Sequence, residues 1–419
     1  MEKVNIGYYE KPITPIEKLP LSGYLERFVQ NKAIAKGKFD ELMCRVLVLN
    51  NEFMLISLDL LAVDLKFSRE ITNRVKKMTG ISPNKIIVTT THTHSAPFIM
   101  SEGVLNQIFI KYLNKKQMKD LKNYRLEVRN IIEECSKKAL ESTSQLTEIR
   151  HGTIKIFNVC TNRIDPTFPH QNEVGLTLFK TNDGRFLLLD YGCHPTILGA
   201  NNRFYSADLI GQIITNLQKE RKFKGIVFLQ GLAGDSSTRY TRISSTFKEV
   251  KRLSNIFTSQ ILRFINKIPI LKFQDMIKFK KKFLKVNFKK LPNKKEIKLL
   301  KKLYTPKAHE RRYSVILEAL NLLEELNFKL PNNTKTFISN LLIGKELKYS
   351  FLPGEPTYSL GKFIVSKTYP LKNRIIGYTD DYLGYLTIKS KQEMLEYENL
   401  MCFVEESSIL KMVEHIISS

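Results

Sequence analysis

The chain has 419 residues, 42% of them apolar, and its 67 basic against 41 acidic residues give a formal charge of +26. That length can bury a large core in one elaborated α/β domain or in roughly two or three smaller ones, and the absence of any run of eighteen apolar residues argues against a transmembrane helix. Residues 1–9 lack a basic stretch followed by an apolar run, so a cytoplasmic address is expected, and five scattered cysteines without a C-x-x-C pair point to reduced thiols.

In chain order, 53–59 has the apolar pattern of a strand, 66–78 reads as a helix stopped by Gly80, and 85–89, rich in Ile, Val and Thr, reads as a second strand. Together they make a βαβ unit. The near-continuous apolar run 186–191 is that of a strand covered on both faces, and 225–230 repeats it. The stretch 268–340 mixes short strands, lysines and a helix at 314–325, and is expected to form a subdomain beside the sheet, within one domain spanning 1–419. A weaker strand with alternating character covers 346–351, and a helix starts within 357–365. No internal repeat is visible. The expected class is α/β, a mixed β-sheet flanked by helices.

Chemistry collects where these strands end, as it does in open α/β sheets, because strands fix the backbone while the following loops aim side chains. His92 and His94 follow the strand at 85–89, and His194 follows that at 186–191. The loop 231–239 with Asp235 and Ser237 follows the strand at 225–230, and Glu355 follows 346–351. A zinc site needs three or four ligands from Cys, His, Asp or Glu, with one position open if it is catalytic. Cys193 adjoins His194 but reads as a small buried thiol.

Half of the basic excess lies in 272–312, with runs such as Lys280, Lys281 and Lys282. A solvated lysine-rich face is expected, with contact to an anionic membrane surface as its candidate role. Nucleic acid is disfavoured, since neither an aromatic-rich RNA-binding signature nor zinc-finger spacing accompanies the lysines.

Taken together, the motifs resemble the neutral/alkaline ceramidase family in a short form. The resemblance is carried by Ile13-Thr14-Pro15, Leu19 to Tyr24, Thr91-His92-Thr93-His94-Ser95-Ala96-Pro97, Asn162-Arg163 and His194-Pro195-Thr196. It continues through Ser206-Ala207-Asp208, Leu229 to Asp235, Leu352-Pro353-Gly354-Glu355, Tyr382 to Thr387 and Tyr397-Glu398. The family cleaves the N-acyl bond of ceramide with zinc, so the resemblance implies a hydrolase for an N-acylated lipid or related small molecule, working through metal-activated water. It implies Zn2+ ligands at His92, His194, Glu355 and Tyr385, with Tyr382 as a competing position for the phenol. It also implies catalytic or substrate contacts at His94, Arg163 and Tyr397, with Asp235 and Ser237 as candidates in the serine loop. Ser237, as nucleophile or as hydrogen-bond donor, stands in a loop that departs from the family: Ser236-Ser237-Thr238-Arg239 replaces a serine followed by proline and asparagine. A form without the carboxy-terminal immunoglobulin-like domain of the long ceramidases is expected from the length. The alternative is a metal-dependent hydrolase or tailoring enzyme for an ester or amide of a specialised metabolite.

Overall fold

The computed structural model describes residues 4–221, 223–271, 277–326, 330–388 and 396–418. One plan occurs three times along it: three strands in an antiparallel meander, a helix, a fourth strand parallel to the third, and a closing helix. The first unit runs β1 (Asn5–Pro12), β2 (Met43–Leu49), β3 (Phe53–Leu58), α1 (Leu65–Thr79), β4 (Ile86–Thr90) and α2 (Lys115–Glu141). The second runs β5 (Ser144–Lys155), β6 (Glu173–Thr181), β7 (Gly184–Tyr191), α3 (Asp208–Arg221), β8 (Gly225–Gln230) and α4 (Phe247–Phe264).

In the third unit β9 (Ile277–Asn287) and β10 (Asn333–Ile343) form a hairpin interrupted by α5 (Lys294–Tyr304) and α6 (Arg311–Leu326). It continues with β11 (Leu347–Phe351), α7 (Tyr358–Thr368), β12 (Lys372–Ile376) and α8 (Glu406–Ile417). The repeat lies in topology, which residue identity does not display.

Units one and two join through β1 and β5 into an eight-stranded sheet of order β8-β7-β6-β5-β1-β2-β3-β4, and the third unit forms a separate four-stranded sheet, β9-β10-β11-β12. The mixed sheet flanked by helices is therefore present, but as two sheets rather than one. They pack face to face through Ile6, Leu47, Phe53, Leu188 and Val227 on one side and Leu341, Ile343, Tyr349 and Phe351 on the other. Helices cover the outer faces: α1 and α2 over unit one, α3 and α4 over unit two, α7 and α8 over unit three. Burial on both faces explains why β3, β7, β8 and β11 are buried at every position or nearly so, and why the alternation expected at 346–351 is absent.

Local chemistry agrees with this plan. Asp64 accepts the Phe67 amide (2.6 Å) at the start of α1, Gly80 ends the helix at φ 77°, and Phe67, Ile71 and Val75 share its buried face. The lysine-rich segment departs from a uniformly solvated face at one point. Lys281 of β9 is inside, its Nζ 2.8 Å from Asp380 and donating to the Ile86 carbonyl (2.7 Å), because the side chains of an edge strand alternate between solvent and the sheet opposite. Residues 272–276 of that segment lie outside the described residues.

Candidate active site

The parallel strand pairs of the three units end at one place. Unit one brings His92 from beyond β4, unit two brings His194 from beyond β7, and unit three brings Glu355 from beyond β11 with Tyr378, Tyr382 and Tyr385 from beyond β12. Gln230 at the end of β8 ties the first two together, its Nε2 donating to the carbonyls of Thr91 (3.0 Å) and Cys193 (3.0 Å).

His92, in the left-handed region at φ 65°, has Nδ1 2.8 Å from the Leu61 carbonyl, and His194 has Nδ1 2.6 Å from the Ala233 carbonyl. Each carbonyl requires a proton on Nδ1, so each Nε2 lone pair faces inward. There they meet one carboxylate: Glu355 Oε1 is 3.5 Å from His92 Nε2 and Oε2 is 3.1 Å from His194 Nε2. Two imidazole nitrogens and a buried carboxylate facing one another form a donor set that a cation between them would satisfy. Burial pushes His92 down to about 4, so a neutral ring facing the carboxylate is its ordinary state. Burial works to raise the Glu355 pKa, but the two imidazoles and the Tyr382 hydroxyl hold it well below the usual carboxylate range. This nitrogen and oxygen donor set fits Zn2+.

His94 completes a second possible triad, since the ligand atoms of His92, His94 and His194 all lie within 4.8 Å of one another. Its Nε2 is 3.3 Å from His92 Nε2, but among the described residues its buried Nδ1 has no hydrogen-bond partner, so no carbonyl holds its ring as the carbonyls hold the other two. His94 also lines the adjoining cavity together with His194, whereas His92 does not. His92 and His194 thus have two candidate third ligands, His94 and Glu355.

The two tyrosines that competed as phenol ligand separate by surroundings. The Tyr382 hydroxyl donates directly to Glu355 Oε1, and Tyr378 donates to Oε2 (3.4 Å) while its ring lies 4.3 Å from that of His92. Both orient the carboxylate. The Tyr385 hydroxyl instead accepts from Arg163 Nη1 (3.1 Å) and opens on the cavity. Burial raises the pKa of both phenols, and only Tyr385 has the Arg163 cation beside it to favour the phenolate. Arg163 is fixed by Glu398 (2.7 Å) and lies between the rings of Tyr385 and Tyr397, 5.1 and 4.9 Å from their centroids.

The cavity has a volume of about 280 Å³. Its walls come from equivalent places in the three units, the insertions between first and second strands: Gly23 and Tyr24, Arg163 and Ile164, and Val315 and Glu318. His94, Ser237 and Tyr397, from the segments that follow the fourth strands, and His194 and Thr196, from beyond β7, add to it. A larger recess of about 700 Å³ near Leu291 holds no histidine, serine or tyrosine among its described lining residues.

Ser237 Oγ accepts the Arg239 amide (3.3 Å) and, among the described residues, makes no hydrogen bond to an imidazole or carboxylate. Asp235 does not reach the cavity: its carboxylate accepts the Tyr358 amide (both oxygens at 3.1 Å) at the start of α7, three residues beyond Glu355. Burial raises its pKa to about 7. Gln230, Tyr378 and Glu398 received no role from the sequence; a polar residue ending an apolar strand was the available signal for Gln230, while the other two depend on distant partners.

Two solved structures share this architecture. The chain superposes on a ceramidase complexed with C2 at a TM-score of 0.76, with 14% identity over 99% of this chain and 74% of that one. It also superposes on neutral ceramidase from Pseudomonas aeruginosa at a TM-score of 0.74, with 16% identity over 99% and 73%. No family model and no curated protein matches the sequence. At these identities the likeness is one of fold: the chain has the fold of the neutral ceramidase catalytic domain, as its motifs suggested.

Proposed function

We propose that this chain is a zinc-dependent amidase cleaving the N-acyl bond of a ceramide-like lipid, with His92, His194, Glu355 and Tyr385 as the metal ligands. The observation that carries the reading is the convergence of two Nε2 lone pairs on one buried carboxylate at 3.1 and 3.5 Å. The shared ceramidase fold supports the substrate class. Bound there, Zn2+ would supply Lewis acidity, polarising an amide carbonyl and lowering the pKa of water to about 7.

The protein's own groups do the rest. Ser237 accepts from the Arg239 amide, so its O–H is available to the substrate carbonyl oxygen as a donor, and Tyr397 offers a second. His94, with an unengaged ring nitrogen beside the ligands, moves a proton to the leaving nitrogen. In balance, the C–N bond breaks, water's oxygen joins the acyl carbon, and both of its protons pass to the leaving nitrogen, leaving a carboxylate and an ammonium. Asp235 acts by position, holding the first turn of α7 and with it the strand end of Glu355. Five unpaired buried cysteines accord with a reducing, cytoplasmic setting. No helix of the described residues is long and apolar enough to cross a membrane, and the lipid substrate is reached through contact of α5 with an anionic membrane surface.

Elemental analysis of the purified chain should find about one zinc, with His194→Ala and Glu355→Ala each losing most of it and Tyr382→Phe retaining it. The zinc-loaded chain should release fatty acid from a short-chain ceramide. A wild-type chain that takes up no metal would overturn the proposal.

A further inference from the structure

Beside the catalytic cavity lies a second one, of about 520 Å³. Ile164 lines both, and the ion pair of Arg163 with Glu398 joins them, Arg163 lining the first and Glu398 the second. Three carboxylates, Asp235, Glu396 and Glu398, line the second cavity against Arg312 and Lys362. Arg312 is paired with Glu396 (3.6 Å), and Lys362 is exposed. Arg163 meets only Oε1 of Glu398 (2.7 Å); Oε2 has no hydrogen-bond partner among the described residues, although Glu398 is 2% exposed. Asp59 and Asp190 also leave an oxygen without one, but neither lines this cavity. Asp235, partly open, accepts the Tyr358 amide and forms no ion pair among the described residues. Burial and the charge of Glu398 push its pKa up to about 7, as expected of a carboxylate that faces another with too little positive charge between them. Ile164, Phe168, Pro169 and Tyr358 give the cavity an apolar side. A bare metal ion does not suit it: among the described residues only His92, His94 and His194 bring three ligand groups close enough to share one, and the cavity is far larger than an ion.

We infer that this cavity is a second binding site, for the ammonium group of a primary amine with a small apolar body, held between Asp235 and Glu398. An N–H donated to Glu398 Oε2 removes the cost of a buried acceptor left unpaired, and the added charge favours the ionised form of Asp235. The apolar side receives the body of the amine. Such an amine is the class of product that cleavage of an N-acyl bond releases; that identification of the ligand rests on the amidase reading, and the site itself does not.

The test is calorimetric binding of 2-phenylethylamine to the full chain as purified, at pH 8, where the amine is an ammonium and Asp235 is ionised. The controls are 2-phenylethanol and 3-phenylpropionate, of similar shape but neutral and anionic. The ammonium should bind on the order of 10- to 100-fold tighter than the alcohol, with the propionate weakest. Glu398→Gln and Asp235→Asn should each remove most of that ratio. Asp235→Asn keeps the pair of Arg163 with Glu398, so it serves if Glu398→Gln does not fold. Phe168→Ala should weaken the amine and the alcohol alike, and Glu355→Gln should leave both unchanged, because the ligand set at the strand ends is separate from this cavity. Equal affinity for amine and alcohol, a preference that survives in both folded carboxamide variants, or loss of amine binding in Glu355→Gln would overturn the inference. Cleavage of N-acyl amides by a chain without such binding would refute the site while the amidase stands. Amine binding with these dependences in a chain that cleaves no such amide would refute the amidase while the site stands.

Discussion

A methyl group on Gly23 would lie 2.5 Å from the His94 ring, and its φ of 93° already excludes most side chains. His94 therefore owes its position to a residue 71 places earlier. Gly23→Ala should displace the ring and lower kcat on the order of 100-fold, yet leave zinc content unchanged, because His94 is not among the proposed ligands. Loss of zinc in that variant, measured by elemental analysis, would instead make His94 a ligand. His151 gives a prediction about stability. It is buried, with Nδ1 2.8 Å from Thr177 Oγ1, which pairs with the Tyr349 hydroxyl of the opposite sheet at 2.7 Å. Burial pushes its pKa down to about 3, below the ordinary value, so beneath pH 6.5 the unfolded chain takes up a proton that the folded chain refuses. Its contribution is present above pH 6.5 and lost as pH falls, by about 1 kcal/mol at pH 5.5. Denaturant titrations at pH 7.5 and 5.5 should show a smaller difference in His151→Gln than in the wild type; identical differences would show that the ring is not buried neutral. At this scale the sequence was most informative where a residue stands beside a recognisable strand end, as His92, His194 and Glu355 do. It was silent on Tyr378 and assigned no role to Gln230 or Glu398, though both stand in motifs it singled out, because their roles exist only through partners far along the chain.

The elements are joined across the sheets by buried ion pairs. Arg374 of β12 meets Asp190 of β7 with Nε–Oδ1 at 2.8 Å, linking units two and three just behind the site, and Lys281 of β9 meets Asp380 near the end of β4. Asp190→Ala would leave a buried guanidinium uncompensated and should cost about 3–5 kcal/mol, far more than the loss of an exposed pair such as Lys372 with Glu346. Urea denaturation of the two single variants, Asp190→Ala and Glu346→Ala, compares them directly, and equal losses would mean that the buried pair is solvated. The same burial decides which elements the sequence could reveal. β3, β7 and β8 are covered on both faces and read as apolar runs, whereas β5, with exposed and buried residues mixed along Ser144–Lys155, carries no such run. The 27-residue α2 and the strands β1, β2 and β6 lie outside the motif-bearing segments and were not among the expected elements. Lys281 was misplaced because one buried lysine within a run of exposed ones has no local signature.

The whole molecule is three copies of one strand and helix plan whose strand ends meet, so that no unit alone holds a site. That arrangement was illegible in sequence because each copy supplies a different chemical group at the equivalent place. The insertions between first and second strands differ most, and that of unit three reaches furthest, through α5 and α6. α6 lends Val315 and Glu318 to the cavity, while α5, packed against α6, leaves Leu299 69% and Leu303 57% exposed among lysines 294, 295, 298 and 302. Two unsheltered leucines within a ring of lysines make an amphipathic face suited to lying in a negatively charged interface, and they sit on the helix next to the one that walls the cavity. The replacement Leu299→Ser with Leu303→Ser should weaken binding to phosphatidylserine-containing vesicles by about tenfold or more, since each buried CH₂ contributes about 0.8 kcal/mol. Binding of the wild type should fall as salt rises, as lysine attraction to lipid is screened over roughly 8 Å at physiological ionic strength. Cleavage of a monomeric N-octanoyl substrate should be unchanged in the double variant, and cleavage of the same amide presented in vesicles should fall with the loss of binding. Undiminished vesicle binding in that variant would remove α5 as the contact surface and leave the site at the strand ends as it is.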